Sequence, residues 1–352
     1  MKHLMLFLTI VFMLAACATP TPEPTEVGPT ELRVMTHDSF SISEDVIAQF
    51  EEEHNAMVQF LQAGDTGTML NQAILTKDNP QADVIYGVDN TFLSRALEAD
   101  IALPLDNLNL DQIPDNLEVD PDRRFFPMDY GDVCLNYDKA YFEENDMPVP
   151  QSLTDLTQPE YEGLLVVENP VTSSPGLAFL VTTIGVFGED GYLDFWADLR
   201  ENDVLVVDGW ETAYYGEFSG GSGSEGTRPL VVSYATSPAA EVYFSEGALT
   251  EPPTGAITAP GTCFRQIEFI AVLRNTPHPE LARAFVAFAL GETFQADIPL
   301  NMWVYPANQR VELPQVFKDH AQTAQDPVDV RPVVIEQNRE AWIEAWTETV
   351  LR

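Results

Sequence analysis

The chain has 352 residues, 45% of them apolar, and sets 17 basic against 56 acidic side chains for a formal net charge of −39. A single hydrophobic core stops growing at roughly 250–300 residues, so this length points to a globular protein of two lobes. The charge excludes nucleic acid and anionic lipid surfaces as partners and favours a cationic ligand through its long-range field, although a saline habitat or plain solubility accounts for the acidity equally well.

The N-terminus reads as an address. Lys2 and His3 precede an apolar run from Leu4 to Leu14, too short to span a membrane as a mature helix, which ends in Leu14-Ala15-Ala16-Cys17. That ending resembles a bacterial lipobox, with residues 1–16 as signal peptide and Cys17 as the lipidated mature N-terminus; a plain signal peptide with an incidental cysteine is the alternative. Residues 17–30 contain four prolines and cannot bury a core, so they serve as an extended tether. The expected location is the outer side of the cytoplasmic membrane, held there by lipid alone.

From Glu31 the pattern alternates strand and helix: "ELRVMTH", the helix "EDVIAQFEEEH" after Ser43, "MVQFLQA", a helix with Met69, Leu70, Ala73 and Ile74 on one face, "ADVIYGVD" and the helix "TFLSRALEAD". Alternating βαβα implies a mostly parallel sheet covered by helices on both faces. Ligands bind outside the carboxyl ends of such strands, which singles out Asp38, Ser39, Asp65, Thr66, Asp89 and Asn90. An irregular stretch leads to a second alternation near Gln151: "LLVVENP", a helix after Ser174, "YLDFWADLREN", "VLVVD", a helix after Trp210, and "PLVVSYAT". "FSGGSGSEGTRP" (218–229) reads as a flexible exposed loop. The chain then resumes with the strand "CFRQIEFIAV" and the helix "HPELARAFVAFAL", whose Leu281, Phe285, Phe288 and Ala289 share a face. Trp342, Trp346 and Val350 form a packing stripe on the last helix.

This order predicts an α/β fold of two interwoven lobes joined by crossing hinge strands near 129–137 and 266–272. Lobe 1 takes 31–128 and 265–308, and lobe 2 takes 129–264 and 309–352. Cys134 and Cys263 lie in two strand-like runs of an exported chain, and their even number suggests one disulfide, with two buried thiols as the other reading.

Enzymatic chemistry finds little support. There is no G-x-S-x-G elbow, no H-E-x-x-H and no Walker loop, and the five histidines are scattered. No cofactor or metal motif appears. Binding has more to stand on. "ENPVTSSPG" presents Ser173 and Ser174 at a helix start, where backbone N–H groups suit a phosphate, hydroxyl or carboxylate, and "SYATSP" repeats the arrangement with Tyr234, Ala235, Thr236 and Ser237. Ordinary helix capping explains either one alone. Trp210, after a strand and a glycine, and Trp303, in the loop-like "NMWVYPAN", could cap a flat or cationic ring or simply pack between helices.

The runs "THDSF", "DVIYGVDN", "PMDYGD", "NPVTSSPGL", "DGWETAY", "SYATSP", "MWVYPAN" and "REAWIEAW", in this order, resemble the thiamine-binding proteins of ABC importers. The resemblance covers nearly everything after the tether. It implies a two-lobed periplasmic-binding-protein fold that closes on thiamine or a thiamine phosphate and delivers it, as a monomer, to a permease and its ATPase. Carried over by motif, Asp65, Thr66, Ser173, Ser174, Trp210 and Tyr234 through Ser237 would contact ligand, with the serines on its hydroxyethyl or phosphate end. Asp65 would meet the aminopyrimidine or balance the thiazolium. Two departures stand out: His37 replaces the tyrosine of a "TYDSF" motif, and Ala240 replaces an aromatic residue after "TSP", with Tyr243, a turn further along, as its candidate substitute. The alternatives are another small organic cation or a thiamine precursor and, through adjacent Tyr214 and Tyr215, ferric iron.

Overall fold

Apolar runs bounded by turn residues become strands wherever both sheet faces are covered, and that is the rule here. The computed structural model describes residues 28–352; the signal peptide and Cys17 lie outside the described residues. In chain order the strands are β1 Thr30–Thr36, β2 Ala56–Gln62, β3 Val84–Asp89, β4 Phe126–Asp138, β5 Leu165–Glu168, β6 Leu205–Val207, β7 Leu230–Tyr234, β8 Thr254–Ile257, β9 Phe264–Val272 and β10 Tyr305–Pro306. The helices are α1 Glu44–His54, α2 Thr66–Leu75, α3 Leu93–Glu98, α4 Lys139–Glu144, α5 Ser174–Phe187, α6 Tyr192–Glu201, α7 Ser237–Phe244, α8 Pro279–Ala289, α9 Glu292–Asn301, α10 Gln315–His320 and α11 Pro332–Val350. Every residue of β3 and β5 is buried, the mark of strands sandwiched between helical layers.

The sheet order is β2-β1-β3-β9-β4-β7-β5-β6, with β8 and β10 also paired to β4. β2-β1-β3 and β7-β5-β6 are parallel blocks, the two alternations of the sequence. Between them lie β4 and β9, antiparallel to each other. β4 is 13 residues long: its first half pairs with β9, and its second half pairs with β7 and β8. β9 returns along β3. The two strands thus carry the chain between the blocks, along the segments where the pattern of the sequence places the crossings.

Cys134 and Cys263 form a disulfide with Cα atoms 4.4 Å apart. The pairing Val133↔Phe264 sets their register, since one more step outward places the cysteines opposite each other. The bond therefore ties the crossing strands where they part.

The last helix packs by its tryptophans. Trp346 is fully buried and meets Trp196 of α6 edge to face at 5.5 Å. The 218–229 segment departs from the flexible loop expected of its glycines. Phe218 is buried, Ser219 Oγ donates to Asp138 Oδ2 at 2.7 Å, and a Cβ on Gly221 would lie 2.4 Å from the Tyr214 carbonyl oxygen. Those glycines allow close backbone approach, and within the segment Ser222, Gly223, Glu225 and Thr227 are exposed.

Candidate functional site

A cavity of about 270 Å³ lies between the two blocks, against the crossing strands. This is close to the lower end of small-molecule sites, about 300–1,000 Å³. Asp129 and Glu268 belong to its lining, as the floor, and sheet register sets Asp89, itself outside the lining, beside them. Asp89 of β3 and Asp129 of β4 both pair with Glu268 of β9, which puts three carboxyl groups abreast on neighbouring strands. All three are buried. Like charges side by side on a sheet are destabilising, so their presence in the interior calls for compensation.

The compensation is partial. Tyr86 Oη donates to Asp129 Oδ2, and Ser174 Oγ donates to Asp89 Oδ2, while Thr91 donates to Asp89 Oδ1 through both its backbone and its hydroxyl. Burial lifts Asp89 to about 6 against these hydrogen bonds. Asp129 is raised well above the usual carboxylate range, first by burial and then by the neighbouring Glu268 charge. His37 Nε2 lies 3.5 Å from Glu268 Oε1. Burial opposes a charge on His37, but Glu268, with Asp65 and Asp129 beyond it, lifts the imidazole to about 9. The ring fits because Gly87 carries no side chain: a Cβ there would come within 2.3 Å of His37 Cδ2, and its φ of +98° suits glycine. Glu268 Oε2 and Asp129 Oδ1 remain without a hydrogen-bond partner.

At the mouth of α5 the expected anion is already present, and it belongs to the chain. Asp65 caps α2 by accepting from Thr66 N at 2.7 Å, and its carboxylate also accepts from Ser174 N at 3.1 Å and Trp210 N at 3.2 Å. A further bond crosses at the same place, Gly67 N to the Thr172 carbonyl at 2.9 Å. The two blocks are therefore latched together over the cavity. Thr66, also at this junction, donates to the Gly87 carbonyl at 3.0 Å.

The aromatic wall grows from the segment after β6. The expected helix following Trp210 is a π-helical turn over Thr212–Glu217. Its wide winding turns both Tyr214 and Tyr215 toward the cavity, although the angular offset of an α-helix would separate them. Trp210 stacks on Tyr214 at 5.2 Å and donates through Nε1 to Ser233 Oγ at 2.9 Å. Tyr234 completes this side, its hydroxyl donating to Gln266 Oε1 at 3.2 Å. Opposite stands Trp303, at a φ of +58° that is strained for a tryptophan. Thr236 Oγ1 donates to its carbonyl, and its ring stacks on Phe317 at 5.7 Å. Its indole N–H is buried without a partner.

Of the residues singled out in the sequence, His37, Asp65, Thr66, Ser174, Trp210, Tyr234, Ser237 and Trp303 line this one cavity. Ser173, Ala235 and Thr236 do not. Ser173 is the buried N-cap of α5, accepting from Gly176 N, and Ala235 donates its N–H to the Asp132 carbonyl at 2.9 Å. Thr236 acts behind Trp303. Tyr243 packs on Trp303 outside the lining, and its neighbour Phe244 lies inside it. Sequence reasoning missed Glu268, Asp129, Glu211 and Gln266. A signal existed for the first two, since each is an acidic residue inside a mostly buried strand pattern with apolar neighbours, Met128 before Asp129 and Ile267 and Phe269 around Glu268. Among the described residues no group of His, Cys, Asp and Glu is arranged to hold a metal ion, and no helix is long and apolar enough to cross a membrane.

Comparison with known proteins agrees with this architecture. The family of bacterial extracellular solute-binding proteins matches residues 79–326. The thiamine-binding periplasmic protein of Escherichia coli (strain K12) is 30% identical, over 91% of this chain and 94% of its own. That of Brucella melitensis biotype 1 is 29% identical, over 94% and 95%. The solved structure of a periplasmic thiamin binding protein superposes with a TM-score of 0.80 at 28% identity, covering 94% of this chain and 99% of that one.

Proposed function

The chain belongs to the bacterial extracellular solute-binding proteins, which carry a solute without chemical change, and on that premise we propose that its cleft captures thiamine or one of its phosphates. The observation that carries this reading is the cavity itself: its lining combines stacked aromatic rings with the buried carboxyl groups of Asp129 and Glu268. A flat aminopyrimidine joined to a permanently cationic thiazolium suits both, by stacking and cation–π contact on Trp210 and by charge on Glu268. Hydroxyl groups of Ser174 and Ser237 are within the same lining.

Capture works by closure. The latch through Asp65 joins the blocks above the bound ligand, so ligand contacts with both blocks shift an open and closed equilibrium toward the closed form. A permease and its ATPase would read the closed surface and receive the ligand. Lipidation of Cys17 would keep the monomer at the membrane; its support is the Leu-Ala-Ala-Cys sequence.

Ferric iron fits less well, because the Tyr214 hydroxyl donates to Glu241 at 2.9 Å and its ring is stacked under Trp210. Another organic cation would use the same floor and wall. Calorimetric titration of the ligand-free mature chain with thiamine, the isolated aminopyrimidine, choline and ferric citrate separates these readings. One-to-one binding of thiamine, with the fragment weaker, is expected. Binding of ferric citrate alone, or of choline in preference to thiamine, would overturn the reading.

A further inference from the structure

The cavity is lined by five carboxyl groups, Asp38, Asp65, Asp129, Glu211 and Glu268, and by one basic side chain, His37. Among the described residues no lysine or arginine lines it. His37 is matched by Glu268 at 3.5 Å, so its charge is already compensated. The mouth of α5 is filled by the Asp65 carboxylate, which takes the N–H groups of Ser174 and Trp210. Deeper in, Glu268 is 8% exposed and Asp129 fully buried, and both residues line the cavity. Carboxyl groups so placed gain from a ligand that brings donors or positive charge.

The rim has the same sign. Asp38 and Glu211 are exposed there, one on each side of the opening, with the Ser39 side chain bonded to Glu211. A phosphate on the hydroxyethyl arm that reaches this rim meets Asp38 and Glu211. It would give up water for a site with two nearby carboxylates and no arginine or lysine to replace the lost hydration.

We propose that the cleft selects the unphosphorylated cation, taking thiamine in preference to its mono- and diphosphate esters, with Glu268 favouring the cationic ring and Glu211 disfavouring the phosphate. This rests on the thiamine reading and adds the discrimination within that ligand class. Glu268 and Glu211 are its specificity-determining residues.

The test is calorimetric titration of the ligand-free mature chain with thiamine, thiamine monophosphate and thiamine diphosphate at low and high salt, repeated on Glu211→Gln. Thiamine should bind at least about tenfold more tightly than the monophosphate, and the diphosphate should be weaker again. Added salt should narrow the gap by screening the exposed rim. Glu211→Gln should narrow it by raising affinity for the monophosphate more than affinity for thiamine. Monophosphate affinity equal to or above that of thiamine would overturn the selectivity and leave the thiamine reading intact. A folded chain that binds none of the three would overturn that reading and this inference with it. A gap unchanged in Glu211→Gln would remove Glu211 from the discrimination. Glu268→Gln, checked for an unchanged circular dichroism spectrum, should lower thiamine affinity about tenfold; full affinity in that variant would remove Glu268.

Discussion

Replacing Asp65 by serine separates closure from folding. The carboxylate makes one local bond, to Thr66 N, and two that cross the cleft, to Ser174 N at 3.1 Å and Trp210 N at 3.2 Å. Serine ranks with aspartate as an N-cap, so α2 keeps its start. Its single, shorter oxygen cannot also span the cleft. Hydrogen bonds to a charged group contribute about 1.5–3 kcal/mol each, and burial pushes the Asp65 carboxyl upward more strongly than its bonds hold it down, so the lower end applies. Two bonds then amount to about 3 kcal/mol of the closed form, equivalent to roughly a hundredfold in affinity for a ligand that requires closure. We expect the thiamine Kd of Asp65→Ser to rise by about that factor, the radius of gyration of the ligand-free protein from X-ray scattering to increase, and the unfolding midpoint to move by only a few degrees. An unchanged Kd with unchanged scattering would mean that Asp65 does not latch the lobes.

Three further outcomes follow from the site and the crossing strands. His37 is raised from 6.5 to about 9, so its contribution is fully present below pH 6.5 and is lost as pH rises through 9; the shift corresponds to about 3 kcal/mol, and denaturant unfolding of His37→Gln should show a flatter stability profile across that window. Gly87→Ala combines a φ of +98° with a Cβ 2.3 Å from the His37 ring; a loss of about 1–3 kcal/mol in the same assay is expected, with weakened ligand binding because the ring must leave Glu268. Replacing both Cys134 and Cys263 by serine frees a loop closed over 129 residues, with an entropic loss of up to about 5 kcal/mol; an unfolding midpoint unaffected by the double change would show that the bond contributes nothing to stability.

The parts of the fold written in local pattern were legible. β3 and β9 read directly as apolar runs, and the crossing segments followed from a chain that completes one alternation, starts another and then returns. The site was harder because it depends on register. No spacing in the sequence brings Asp89, Asp129 and Glu268 abreast; that requires β9 to lie between β3 and β4, with bulges at Tyr86/Val88 and Pro127/Asp129 adjusting the pairing. The serines at the start of α5 were visible as an anion mouth, but the carboxylate that fills it comes from 109 residues away. The π-helical turn that directs both Tyr214 and Tyr215 at the cavity has no signature in "ETAYYGEF" that distinguishes it from an α-helix.

The two acidic features of the cleft play opposite parts in one mechanism. Asp65 uses its charge to hold the lobes together, satisfied by backbone donors from the far side, and so favours closure even before a ligand arrives. The carboxyl groups of the floor do the reverse. They are buried close together, with Asp129 raised by burial and by the Glu268 charge, and with Glu268 3.5 Å from His37. Closing an empty cleft over them costs free energy, since their remaining hydration is lost without replacement. A cation on the floor removes that cost, which makes the bound form the one in which latch and floor agree. The ligand-free protein is then poised near balance between open and closed, and Asp65→Ser and Glu268→Gln should move that balance in opposite directions. If both variants expanded the ligand-free protein equally, the floor would be acting as scaffold and the latch alone would govern closure.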